Sequence, residues 1–161
     1  MPTQRRVAVL SRPSALANQM TELLSSVWRQ EHVDFTLTSF DLLREVDNPA
    51  LEDCSAILLM CTSNVEAVYS TTVALDTLSR RFDQSRVTVV VMQQRGTDAD
   101  AVARQLSRRA SRVQVIPFDA HLSSLDKATL ADLQPATKSA YTQLAANIID
   151  QIAMPRLFAA R

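Results

Sequence analysis

A single glycine, Gly96, serves the whole chain of 161 residues, and its isolation narrows what the fold can bind. Phosphate-cradling turns need glycine twice over. They put backbone at positive φ, where a Cβ clashes, and they bring N–H groups close to the phosphate. With one glycine, neither the GxxxxGK[ST] loop nor the GxGxxG turn occurs anywhere in the sequence. Nucleotide binding through either loop is excluded before any element is assigned.

The remaining composition is that of a core-forming chain, with 47% hydrophobic residues, enough for one domain. We read a single α/β domain over 1–153 and a short tail over 154–161, whose Met154, Leu157 and Phe158 could dock on a partner or a second copy. Seventeen basic and seventeen acidic residues cancel, so no global field draws the protein to nucleic acid or anionic lipid. Cys54 and Cys61 lack CxxC spacing and read as two reduced core thiols. The N-terminus carries no signal-peptide pattern, and no apolar run approaches the roughly 20 residues of a membrane span. A cytoplasmic location is the expectation.

Strand and helix patterns alternate along the chain. Strands are expected at 6–11 (RVAVLS), 33–37, 55–62 (SAILLMCT), 87–92 (VTVVVM) and 113–116. The second alternates apolar with polar residues and reads as an edge or half-buried strand. Pro13 opens a helix carrying Leu16, Met20, Leu23, Leu24 and Val27 at helical spacing. A short helix is expected over 40–46, and longer ones over 65–81, 98–109 and 140–152. Strands separated by helices imply right-handed crossovers. The fold class is therefore a three-layer αβα domain, with a mainly parallel sheet of about five strands.

Ligands of such sheets sit beyond the carboxyl ends of the strands. The segments meeting there are Ser11–Ser14, Cys61–Asn64, Gln93–Gly96 and Phe118–His121. A phosphorelay receiver would need an acidic pair, a phosphoacceptor Asp and a lysine at these positions, and none is present. A cysteine phosphatase needs Cys-x₅-Arg, but the arginine position counted from Cys61 holds Ala67. Cys61, His121 and Asp119 could be drawn as a nucleophilic set, although nothing around them supports an oxyanion site. His32 is too remote in sequence to form a metal set, so no metal or catalytic group is assigned. Gln93, Gln94, Arg95 and Asp119 are the candidate ligand-binding residues. Arg104, Arg108, Arg109 and Arg112 recur along one predicted helix as a candidate docking stripe for an acidic protein partner. Without interleaved aromatic residues, that stripe counts against nucleic acid.

Three segments resemble MinD/ParA-type partition ATPases: Asp53–Leu78, with its apolar strand ending in Thr; Arg86–Arg95; and Val115–Leu122 (VIPFDAHL) with Leu130–Ala146. The resemblance implies the P-loop NTPase-like fold of that family. Where the family carries its phosphate-binding lysine, this chain has Ser11-Arg12-Pro13-Ser14, and no lysine precedes Lys127. The position of the adenine-reading Asn falls on Gln93 or Gln94. The resemblance thus implies a pseudo-ATPase: a non-catalytic interaction module without cofactor, in a positioning, partition or secretion system. Its partner would be an intact ATPase relative or a second copy in a homodimer. The alternative reading is a small-molecule or nucleotide sensor using the carboxyl edge of the sheet.

Overall fold

Residues covered on both faces by helices need no polar alternation, and the central strands are apolar throughout for that reason. The computed structural model describes residues 5–12, 14–123 and 129–159, excepting the side chains of 14, 123 and 153–159. Its strands are β1 (Arg6–Ser11), β2 (Thr36–Asp41), β3 (Ala56–Thr62), β4 (Val87–Met92) and β5 (Val113–Ile116). All of β4, and β1 from Val7 onward, is buried. The two edge strands, β2 and β5, are only partly so.

The sheet is parallel at every pairing, in the order β2-β1-β3-β4-β5. After β1 the chain steps outward to β2, then crosses back over β1 to lay down β3. The connections leaving β1 and β3 therefore pass to opposite faces. Between them, at the carboxyl ends, the sheet carries a crevice.

Helices α1 (Ser14–Gln30) and α6 (Pro135–Ala159) cover one face. The single turn α2 (Leu42–Glu45) and helices α3 (Val65–Ser79) and α4 (Ala99–Leu106) cover the other. A further turn, α5 (Ala120–Ser123), lies between β5 and α6. The three-layer αβα class read from the sequence is the architecture observed. Trp28 anchors the α1–α6 layer, with its indole N–H donating to Ala145 O at 3.2 Å and its ring edge-on to Phe35 at 4.7 Å. On the sheet's interior, Thr88 of β4 donates to Gln151, whose amide donates on to Ser85 O, so α6 is pinned to the sheet.

Several boundaries differ from expectation. The second strand runs over Thr36–Asp41 rather than 33–37, because Val33 and Phe35 are packed on the Trp28 cluster just before the ladder begins. Helix α4 stops at Leu106, so Arg104 is the one member of the expected arginine stripe that it carries. The last helix begins at Pro135 and runs to Ala159, taking in most of the segment read as a tail. The side chains of that segment, together with Pro13 and Lys127, lie outside the described residues. Among the described residues, no helix is long and apolar enough to cross a membrane.

Candidate functional site

Four connections build the carboxyl edge of the sheet, and each is held by its own side chains. After β3, Asn64 caps α3 by accepting the Ala67 N–H at 2.8 Å. Its amide nitrogen donates to Thr62 Oγ1 at 2.9 Å and across to Gln94 Oε1 at 3.0 Å. This ties the β3 and β4 connections into one wall. Ser63 strengthens the tie by accepting the Gln94 N–H at 2.9 Å and bonding the Thr97 hydroxyl.

Gln93, expected to meet a ligand, is consumed by its own turn. Its amide nitrogen donates to the carbonyls of Gln94 and Thr97, each at 2.5 Å, and its oxygen accepts the Ala99 N–H at 2.7 Å. Gly96 lets that turn close at φ +73, the left-handed backbone expected of a lone glycine here. Arg95 lies with its guanidinium 5.0 Å from the centroid of the Phe118 ring, a cation–π contact between the β4 and β5 connections.

Asp119 is buried, with a relative exposure of 2%. One oxygen accepts the N–H and the ring Nδ1 of His121, at 3.0 and 2.9 Å, and the other accepts the Gln134 N–H at 2.8 Å. Burial on its own raises the carboxyl pKa. The donors from Gln134 and His121 outweigh it and hold the group down at about 2. Because Gln134 immediately precedes Pro135, this carboxylate caps α6 from outside and binds the β5–α5 connection to the helix amino end.

These walls enclose a cavity of about 770 Å³, within the size range of small-molecule and cofactor sites. Leu16, Leu42, Met60 and Met92 supply apolar lining, and Thr62, Ser70 and Gln94 supply polar groups. Arg12 and Arg95 bring positive charge to the same cavity. Arg12 also sits 3.9 Å from Glu66 across the rim, an exposed pair contributing little to stability.

All four sequence-derived ligand candidates, Gln93, Gln94, Arg95 and Asp119, line this cavity. Arg12 and Thr62 fall in the edge segments Ser11–Ser14 and Cys61–Asn64 without being singled out there as ligand residues, while Ser70 and the apolar lining carry no such mark. Ser70 and Leu16 lie within α3 and α1, and only the folded chain brings them to the cavity. The drawn nucleophilic set does not assemble as one: Asp119 and His121 pair, while Cys61 is buried and gives its thiol to Thr62 O at 3.3 Å. Burial pushes that thiol upward, away from the thiolate a nucleophile needs. Of the arginine stripe, Arg109 is paired with Asp76 at 2.9 Å, and Arg108 and Arg112 follow the end of α4. Among the described residues no cluster of metal-ligating side chains occurs.

No family model and no curated protein matches the sequence. Solved structures do match the fold. An oxidised flavodoxin 2 from Bacillus cereus superposes with a TM-score of 0.54 at 10% identity, over 91% of this chain and 99% of its own. The metal-soaked Flv1 flavodiiron core from Synechocystis sp. superposes with a TM-score of 0.53 at 11% identity, over 91% of this chain and 37% of its own. The strand order β2-β1-β3-β4-β5 is likewise the flavodoxin-like one.

This corrects the resemblance to MinD/ParA-type ATPases. The fold is flavodoxin-like and not P-loop NTPase-like, and the pseudo-ATPase interaction module inferred from that resemblance falls with it. The matched features have local causes instead. An apolar strand ending in Thr is what any doubly covered parallel strand becomes as it reaches a polar loop. The aspartate of the Ile-Pro-x-Asp turn is Asp119, which caps the last helix. The fold that emerges is flavodoxin-like, with a cavity of mixed apolar and polar lining at the switch point of its sheet.

Proposed function

We propose that this cavity is a small-molecule site whose ligand is a planar, phosphorylated heterocycle of the flavin mononucleotide type. One observation carries the reading: a cavity of about 770 Å³ opens at the β1/β3 crevice, the switch point at which flavodoxin-like sheets hold that ligand. The chemistry of the lining supports it. Leu16, Met60, Met92 and Phe118 offer apolar and aromatic surface to a ring, while Thr62 and the Gln94 amide offer hydrogen bonds to its polar edge. Arg12, beside the amino end of α1, offers a cation to a phosphate. The missing glycine loops do not weigh against this, since they belong to other phosphate cradles. Flavin, when bound, supplies electron-transfer chemistry. The chain's own residues bind and orient, and we read a binding domain rather than an enzyme, since among the described residues no nucleophile–base pair lines the cavity.

A fluorescence titration tests the proposal. Flavin mononucleotide is expected to be quenched saturably, with a dissociation constant at or below about 10 μM. Riboflavin, lacking the phosphate that Arg12 would meet, should bind roughly tenfold more weakly. The absence of saturable quenching by either compound up to about 1 mM would overturn the reading.

A further inference from the structure

In the wall between the β3 and β4 connections, one backbone group fixes the hydrogen-bond direction of three side chains. The Ala67 N–H can only donate, and it meets Asn64 Oδ1 at 2.8 Å. The Asn64 amide is thereby set one way round, with the two protons of Nδ2 turned away from the helix end. One goes to Thr62 Oγ1 at 2.9 Å and the other to Gln94 Oε1 at 3.0 Å. Asn64 has no donor left for a ligand.

Its orientation passes on to both acceptors. Gln94 gives its oxygen to Asn64, so its Nε2 group is the free end, and among the described residues no acceptor meets it. Thr62 Oγ1 accepts from Asn64 and directs its own hydrogen elsewhere, again with no protein acceptor among the described residues. Both residues line the cavity, where the guanidiniums of Arg12 and Arg95 are donors by nature. The carboxylates of the lining do not offset this. Asp119 accepts from protein donors on both oxygens, and Glu66 faces Arg12 at the rim.

We infer that Asn64 is a positioning residue that sets Gln94 and Thr62 as donors, so that the cavity selects a ligand presenting an acceptor edge to this wall. Carbonyl oxygens and unprotonated ring nitrogens fit it, whereas an N–H edge would leave donors facing donors. The inference rests on the cavity being the ligand site and adds the polarity of the edge it reads.

Asn64→Asp inverts the wall without moving it. A carboxylate still accepts the Ala67 N–H and suits a helix amino end, so the fold is kept. It has no proton to give. Gln94 then turns Nε2 toward the carboxylate and its oxygen toward the cavity, and Thr62 donates to the carboxylate as well. Riboflavin, uncharged and so not repelled by the added charge, should bind at least about tenfold more weakly than to the parent. In a Gln94→Met background the same substitution should cost clearly less affinity, because Asn64 acts through Gln94.

Side-chain amide exchange in the free protein, read by NMR, separates this inference from the flavin reading. In the parent the Asn64 Nδ2 protons exchange slowly and the Gln94 Nε2 protons fast. In Asn64→Asp the Gln94 protons should slow by at least about fivefold. If the parent binds no flavin, the flavin reading fails, and the exchange rates still decide whether Asn64 sets the wall. Undiminished riboflavin binding by Asn64→Asp, or Gln94 exchange left unchanged by it, overturns the inference.

Discussion

Asp119→Asn is expected to lower the stability of the fold by about 2–4 kcal/mol. For a chain of this size, the melting temperature should fall by roughly 5–15 °C. The native carboxylate accepts from three donors, the N–H groups of His121 and Gln134 and the His121 ring. An asparagine keeps one accepting oxygen and turns an N–H₂ group toward donors, leaving buried N–H groups unpaired. The cap on α6 is lost with it, at the helix that carries Tyr141, Leu144 and Ile148 into the core.

The pH dependence carries a sign that separates this account from simple loss of packing. Asp119 sits at about 2 in the folded chain, against about 4 when unfolded. Above pH 4 both states are ionised and the full benefit, about 2 kcal/mol, is present. As pH falls the unfolded chain takes up its proton first, and the benefit drains away until pH 2. Urea unfolding of the parent and of Asp119→Asn should therefore give a gap that is constant from pH 5 to 7 and shrinks between pH 4 and pH 2. A gap independent of pH over the whole range would contradict the assignment of Asp119 as an ionised cap.

The second large effect is on binding. Ser70 projects from α3 into the cavity. Ser70→Trp would fill much of the space between α3 and the β4 connection while leaving the sheet and its hydrogen bonds untouched. Affinity for flavin mononucleotide should fall more than tenfold, a loss above about 1.4 kcal/mol. The melting temperature of the free protein should change little, because Ser70 is only half-buried and borders open cavity space. Retained affinity in a folded Ser70→Trp variant would move the ligand out of this cavity.

What the sequence discloses follows from what each element must satisfy locally. Strands β3 and β4 are legible because double coverage forces continuous apolar runs, and Val87–Met92 is read to the residue. Strand β2 is misplaced because Val33 and Phe35 carry an apolar alternation that serves Trp28, not the ladder. Strand order leaves almost no trace in the residues. An apolar run records that it is covered, not which strand lies beside it, so the α/β class is readable while the flavodoxin-like order is not. A resemblance resting on such runs and on the Ile-Pro-x-Asp turn at 116–119 carries no strand order either, and the family it names does not share this fold.

The site is partly legible. Segment ends that follow strands identify Gln93, Gln94, Arg95 and Asp119 as edge residues, and all four line the cavity. Their division of labour is hidden in the sequence. Gln93 closes a turn and Asp119 caps a helix across 15 residues of chain, so neither is as open to a ligand as the Arg12 guanidinium or the Ser70 hydroxyl. Only the folded geometry separates residues that build the wall from those that face the space inside it.

Amide chemical-shift mapping during a flavin mononucleotide titration tests the switch-point site most directly. Saturable shifts are expected at Arg12, Thr62, Asn64, Gln94, Arg95 and Phe118, with the amides of α4 from Val102 to Leu106 unmoved. Shifts confined to another face, or none at saturating ligand, would contradict it.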